Sequence, residues 1–215
     1  ITEVPSQTDL DAFLEDSPTE NSLKRRLSRL SESQKISVDF EAVVTHELSD
    51  TINQLSSQSS CDWLVMGWDG RPTTGIFITN PIGWLLANIN SNLALYRDNG
   101  VRYVGKVLLA LRPGRKDKNF ISIAKNVCDY FGGSLTLLHV LPENSSTTET
   151  VKHRSEEKLK QSGVDAEVLI LKSADPVETI SETSASYDLL ILGTPEKDNW
   201  INVLFGGGKD KFTEK

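Results

Sequence analysis

Four short apolar runs, separated by stretches of helical character, dominate the second half of the chain. Hydrophobic residues follow one another in these runs instead of alternating with polar ones, which is typical of strands that a parallel sheet buries on both faces. We therefore predict strands at residues 106–111, 135–141, 166–171 and 188–193. The stretches between them predict helices at 119–131 and 148–161, and a third that begins at Asp175 and Pro176.

Strands that alternate with helices indicate βαβ units, which have right-handed crossovers. The predicted fold class is therefore α/β, with mostly parallel sheets flanked by helices. Gly132 and Gly133 follow the first of the three helices and are expected to end it.

The first half carries a weaker version of the same pattern. We predict strands at 38–48, 62–67 and 92–97. Helices are expected at about 50–57, with Ser49 and Asp50 as N-caps, and at 81–89. Residues 1–37 are a polar segment with one leucine stripe, Leu23, Leu27 and Leu30. The turn at 98–100 separates two predicted modules, residues 1–99 and 100–215.

One segment occurs in both halves. Asp-Trp-Leu-Val-Met-Gly at 62–67 matches Asp-Leu-Leu-Ile-Leu-Gly at 188–193, and a strand and a Ser-rich helix precede each copy. We interpret the match as a duplication, although any two doubly wound domains share this order of elements. The first module would then lack its opening strand, helix and strand, and the second its closing strand. Because the chain also begins at Ile1 instead of Met, we expect it to be part of a longer protein.

Composition narrows the classes of partner. The formal net charge is −7 and the pI about 5.1, whereas nucleic-acid binding requires a concentrated positive surface, so we expect no nucleic acid. The two cysteines, Cys61 and Cys128, lie far apart, which favours a reducing compartment over a disulfide framework. No apolar run approaches the ~20 residues that cross a bilayer, so no membrane span is expected within this fragment.

Three strand segments resemble those of the universal stress protein fold. They are Lys106-Val-Leu-Leu-Ala-Leu111, Ser134-Leu-Thr-Leu-Leu-His-Val140 and Asp188-Leu-Leu-Ile-Leu-Gly193, which are similar to its first, second and fourth strands. Tandem modules with a Trp-rich loop also resemble the C-terminal cytosolic domain of prokaryotic cation–chloride cotransporters and related amino-acid permeases. This closer resemblance lies in residues 61–70, 95–114 and 198–212.

The resemblance implies two universal-stress-protein-like modules, of the adenine nucleotide alpha hydrolase-like type, incomplete at both ends. It also implies a non-catalytic regulatory and dimerisation domain on the cytoplasmic side of the cell membrane. Its partners would be the protein's own transmembrane transporter domain and a second copy of the chain, and no cofactor is expected. The alternative is a free-standing tandem universal stress protein that binds ATP or another adenine nucleotide.

The nucleotide-binding alternative depends on a set of glycines. The resemblance implies an Asp at the end of the first strand, Gly-x-x-Gly after the fourth, and a later Gly-Ser/Thr that opens the last helix. Arg112 stands in place of the Asp, and Glu196 in place of the second Gly. The weak candidates that remain are Gly67, Gly70, Gly193, Gly206 and Gly207. Glycine lets backbone N–H groups approach phosphate. We favour a role in loop geometry, because a carboxylate at Glu196 repels phosphate.

No residue pattern indicates catalysis or metal binding. His46, His139 and His153 lie on different predicted elements, and the sequence has neither a metal-spaced cluster nor a nucleophile elbow. We therefore do not expect an enzyme. We expect His139 to be packed within its strand instead of serving as a ligand.

Two further features have two interpretations each. Trp68, Trp84 and Trp200 lie in or beside the loops that follow the Gly-ended strands, where they either anchor an interface or cap the local core. Ser28 follows the basic run 24–26 and suits a basic-directed kinase, although a solvated helix face explains the run as well. If the chain lies below a membrane, the same run is able to contact lipid headgroups, although the net charge of −7 opposes approach of the whole chain to an anionic surface.

Overall fold

The computed structural model describes residues 1–10, 18–67, 88–89, 91–113 and 117–193. These residues form two compact units, the first ending at Tyr96 and the second beginning at Arg97. Each unit has its own parallel strands and its own helices. No helix within the described ranges is long and apolar enough to cross a membrane.

The first unit is built from short paired strands and two helices. In chain order its described elements are β1 (Thr2–Glu3), α1 (Pro18–Gln34), β2 (Val44–Thr45), α2 (Leu48–Gln58), β3 (Trp63–Gly67) and β4 (Asn92–Tyr96). β1 pairs with β2 and β3 pairs with β4, both in parallel. Residues 1–37, although polar in pattern, therefore contribute a strand and a 17-residue helix to this unit.

The strand expected at 38–48 is confined to Val44 and Thr45. Its partner β1 offers only Thr2 and Glu3 for pairing. A ladder extends only where both strands provide backbone groups, so the short partner limits the length of β2. The apolar residues of 38–48 thus predicted the place of the strand but not its length.

The first turn of α2 is capped by contacts from outside the helix. Glu47 occupies the N-cap position, but its side chain makes no capping hydrogen bond. Glu3 Oε1 accepts instead from the Leu48 N–H at 3.3 Å, and the Thr45 hydroxyl accepts from the Glu47 N–H at 3.0 Å. The prediction of Ser49 and Asp50 as N-caps is wrong, because residues from two neighbouring strands supply the acceptors.

The second unit follows the predicted pattern closely. Its elements are β5 (Lys106–Ala110), α3 (Asp117–Phe131), β6 (Ser134–Leu141), α4 (Thr148–Gln161), β7 (Glu167–Lys172), α5 (Pro176–Ser184) and β8 (Leu189–Leu192). The strands form one parallel sheet in the order β7-β6-β5-β8. Asp175 caps α5 as predicted, since its Oδ1 accepts from the Glu178 N–H at 3.0 Å.

β5 lies between two other strands and is buried on both faces. Val107 and Leu109 face a cluster that includes side chains of α3 and α4. Leu108 and Ala110 face a second cluster that includes Ile180 of α5. Successive side chains of a strand point to opposite faces, so helices cover both sides of this sheet. Burial of each large side chain in β5 stabilises the fold by about 1.5–3 kcal/mol, which explains the uninterrupted apolar run.

Two glycines connect α3 to β6, as predicted. Gly132 has a φ of 69°, in the left-handed region that ends many helices and that side chains disfavour. A Cβ atom on Gly133 would lie 2.7 Å from the Val104 carbonyl oxygen. The first glycine is therefore required by the backbone conformation, and the second by the close approach of the chain.

His139 forms a buried polar link between three elements. Its side chain is 1% exposed within β6. Nδ1 lies 2.7 Å from the Leu111 carbonyl oxygen, and Nε2 lies 2.9 Å from the Ser155 hydroxyl of α4. A carbonyl oxygen only accepts, so Nδ1 carries the proton and donates to Leu111, while Nε2 forms its hydrogen bond with the Ser155 hydroxyl. The expectation that His139 is packed within its strand is confirmed.

Asp188, the first residue of the repeated segment, joins the beginning of β8 to the beginning of β5. Its Oδ2 accepts from the Gly105 and Lys106 N–H groups, each at 2.9 Å. In the first unit the matching Asp62 uses its backbone instead, and its carbonyl oxygen accepts from the Asn92 N–H at 2.9 Å. The same aspartate position thus holds two neighbouring strands in each unit, but through different atoms.

We expect Asp188→Ala to lower the free energy of unfolding by about 1–2 kcal/mol, because two N–H groups lose a charged acceptor at an exposed edge where water partly replaces it. Asp188→Asn keeps one acceptor oxygen and should lose less. Urea unfolding followed by circular dichroism measures both variants. The control is Asp165→Ala, the same change at an exposed aspartate before β7. If Asp188→Ala and Asp165→Ala lowered the free energy of unfolding equally, Asp188 would not stabilise the junction between β8 and β5.

We expect Ser155→Ala to destabilise the chain by about 1–3 kcal/mol, because the change removes a hydroxyl partner from a buried imidazole. Combining Ser155→Ala with His139→Leu should destabilise less than the sum of the two single changes, since both remove the same hydrogen bond. The control is Ser22→Ala at an exposed position of α1. If Ser155→Ala and Ser22→Ala unfold at the same urea concentration, the hydrogen bond between His139 and Ser155 makes no net contribution to the free energy of unfolding.

Candidate functional site

The strand order of the second unit defines one position where a ligand site is expected. From β5 the chain proceeds to β6 and β7 on one side, then returns to β8 on the other side of β5. Parallel α/β sheets bind ligands outside the carboxyl ends of the strands at such a switch point. The described residues that follow these strands are Leu111, Arg112 and Pro113 after β5, and Gly193 after β8.

Arg112 and Gly193, both singled out by the sequence, lie at this end of the sheet. Ala110 pairs with Leu192 at the last step of the ladder, so the residues that follow the two strands are close neighbours. Arg112 is exposed. A guanidinium donates hydrogen bonds but accepts none, so Arg112 cannot replace an Asp that would accept from a ribose hydroxyl.

Gly193 lies against the core. A Cβ atom at this position would meet the tip of the Leu111 side chain, which would have to shift, and would lie 3.7 Å from the Phe120 ring. The Gly193 N–H already donates to the Ala110 carbonyl oxygen at 3.1 Å. A glycine that cradles phosphate offers a free N–H group to the anion. The arrangement therefore supports the role in local geometry over the role in phosphate binding.

Leu111 closes the same position from the β5 side. Its N–H donates to the Leu138 carbonyl oxygen at 3.1 Å, and its own carbonyl accepts from His139. The Leu111 side chain belongs to the core cluster of α3 and is 8% exposed. Both backbone groups and the side chain thus form contacts within the protein. No sequence pattern indicated the contact between Leu111 and His139.

Of the remaining candidate glycines and tryptophans, the structure describes only Gly67. Gly67 ends β3, is exposed, and has no described atom within 4 Å of where a Cβ would lie. Packing within the described part of the chain therefore does not explain why this residue is a glycine. The remaining candidates lie outside the described residues: Gly70, Gly206, Gly207, Trp68, Trp84 and Trp200.

The three histidines are separated, as their sequence positions predict. His46 Nδ1 lies 3.2 Å from the Val4 carbonyl oxygen, and exposed His153 lies 3.7 Å from Glu157 on α4. Within the described ranges, no group of three or more His, Cys, Asp and Glu residues is placed to hold a metal ion. Ser28 is exposed on α1, where its hydroxyl donates to the Lys24 carbonyl oxygen at 3.0 Å. Its phosphorylation stays a prediction.

Sequence reasoning missed a polar cluster at the end of α2. Cys61 Sγ lies 3.3 Å from the Ser56 hydroxyl and 3.4 Å from the Ser91 hydroxyl. These hydrogen bonds, that of Ser56 first, hold the pKa of the Cys61 thiol below its usual value. Burial has the opposite effect on Cys128, whose thiol pKa it raises. Both partners of Cys61 are hydroxyls, which are too weak as bases to activate a nucleophile.

The comparisons with known proteins concern the fold. No protein-family model matches the chain, and no curated protein sequence matches it either. The structure of a universal stress protein from Archaeoglobus fulgidus DSM 4304 is similar, with a TM-score of 0.64 and 17% sequence identity, over 93% of this chain and 74% of that one.

Two structures from Pseudomonas aeruginosa are also similar. One, from strain UCBPP-PA14, bears the universal stress protein name and gives a TM-score of 0.57 at 18% identity, over 85% of this chain and 70% of its own. The other, a functionally unknown protein from strain PAO1, gives 0.57 at 17% identity over the same shares. At these identities the likeness shows the fold alone: the chain has an α/β fold, with parallel sheets flanked by helices, like that of universal stress proteins.

Proposed function

We propose that the chain is a non-catalytic regulatory and dimerisation domain of a membrane cation–chloride cotransporter, on the cytoplasmic side of the membrane. The packing at the switch point is the observation that supports a non-catalytic role. There the Leu111 side chain lies against Gly193, and Ala110 already accepts from the Gly193 N–H. A site whose backbone groups are used within the fold is better suited to a structural role than to ligand chemistry.

The order of elements supports a tandem arrangement, as in the cytosolic domain that the sequence resembles. β1-α1-β2-α2-β3 in the first unit follows the same order as β6-α4-β7-α5-β8 in the second. β1 is then the counterpart of β6, so it supplies the second of the two strands that the sequence led us to expect missing from the first module. β1 pairs in parallel with β2, as β6 pairs with β7. We therefore interpret the two units as copies of one module.

The proposed role is mechanical. Contacts between two copies of the domain would favour one conformation of the attached membrane part over another, without binding the transported ions. The carboxyl ends of β5 and β8 would then serve as rigid ends of a scaffold. Because self-association is part of this role, a dimer is expected in solution.

The coding sequence before Ile1 is the most direct test of the transporter assignment. It is expected to encode about ten to twelve apolar segments of ~20 residues each. Light scattering of the isolated chain should at the same time give the mass of a dimer at high concentration. A start codon shortly before Ile1 would rule out the transporter, and a strict monomer at every concentration would rule out the assembly role.

The alternative function, adenine-nucleotide binding, has one observation in its favour. Arg112 places an exposed guanidinium at the switch point, where phosphate would lie. Titration calorimetry with ATP is expected to show no saturable heat. Saturable micromolar binding of ATP would favour the alternative function. That binding should then be lost in Arg112→Ala and kept in the exposed control Arg102→Ala.

A further inference from the structure

α1 presents leucines to solvent. None of the 17 residues of this helix is buried. Leu23 is 43% exposed and Leu30 is 45% exposed, while Leu27 is half-buried. The predicted leucine stripe is therefore only partly used in packing within the chain.

Two arginines share the open side of α1 with these leucines. At about 100° per residue, Leu23, Arg26, Arg29 and Leu30 fall within about 120° of the helix circumference. All four are exposed, and we call them the Leu–Arg face. Among the described residues, Arg26 and Arg29 form no ion pair. The acidic residues of the helix, Glu20 and Glu32, lie outside this arc.

The surroundings of this face are strongly positive, although the whole chain is acidic. Residues 21–31 contain Lys24, Arg25, Arg26 and Arg29 and no Asp or Glu. The formal charge of this stretch is therefore opposite in sign to the chain's net −7. Ile36, just beyond the helix, adds an apolar side chain that is 50% exposed.

We propose that the Leu–Arg face docks α1 on an anionic lipid surface, in the plane of the membrane interface. Leucines enter the boundary between headgroups and acyl chains, while long arginine side chains reach the lipid phosphates beside them. Charge complementarity decides the occupant, since each nearby cation strengthens attraction to anionic lipid. Two leucines bury little area, so the docking is weak and reversible.

Flotation of the complete chain with lipid vesicles tests the proposal. One vesicle type is phosphatidylcholine alone, and the other contains about one-third phosphatidylserine to provide negative charge. The chain should float with the anionic vesicles at low salt, stay behind with the neutral ones, and dissociate as salt screens the charges.

Two variants of α1 separate the contributions of charge and apolar contact. Arg26→Glu with Arg29→Glu should lower binding to anionic vesicles about tenfold or more, because attraction turns into repulsion. Leu23→Ser with Leu30→Ser should lower it as well, which pure charge attraction would not predict. Circular dichroism checks that each variant keeps its helices.

The matched control is Lys152→Glu with Arg154→Glu on α4, where both side chains are exposed among several glutamates. It changes the net charge by the same amount and should leave vesicle binding unchanged. Equal loss in this control, or equal flotation with neutral and anionic vesicles, would overturn the proposal. Absence of binding to anionic vesicles would also overturn it. These results do not depend on whether a transporter precedes the chain.

Discussion

The burial of β5 on both faces is the constraint on which the second unit depends. Val107, Leu108 and Leu109 are fully buried, so helices must cover both sides of the sheet. α3 and α4 pack on one side and α5 on the other. To place helices on both sides, the chain extends the sheet from β5 in one direction and then returns to extend it in the other. The switch point between β5 and β8 is thus a consequence of the way the central strand is buried.

The same packing determines the local structure at the carboxyl ends of β5 and β8. Leu111 continues the apolar run of β5 into the core, and the tip of its side chain lies where a Cβ atom on residue 193 would be. The Leu111 carbonyl oxygen forms a hydrogen bond with His139, whose other ring nitrogen lies 2.9 Å from the Ser155 hydroxyl of α4. These contacts connect the end of β5 to β6 and α4, while the Gly193 N–H connects β8 to β5.

The first unit has the same order of elements but buries far less of its apolar surface. Val65 in β3 is 67% exposed, whereas the matching Ile191 in β8 packs against the core cluster of its unit. Leu23 and Leu30 of α1 are exposed in the same way. Apolar side chains that are not buried in the core of the described unit are available for contacts with another surface. On α1 these leucines lie beside arginines, which favours a negatively charged surface as the partner.

Local patterns in the sequence determined the α/β class, the order of elements in the second unit, and the cap of α5 at Asp175. Each of these depends on residues within a few positions of one another, so periodicity and capping preferences were sufficient to predict them. The sequence also placed Arg112 and Gly193 at strand ends. Only the tertiary structure decided that Glu3 caps α2, that Leu111 packs against Gly193, and that Ser56 and Ser91 meet at Cys61. Those contacts join residues far apart in the chain, and no local preference specifies which distant atoms will meet.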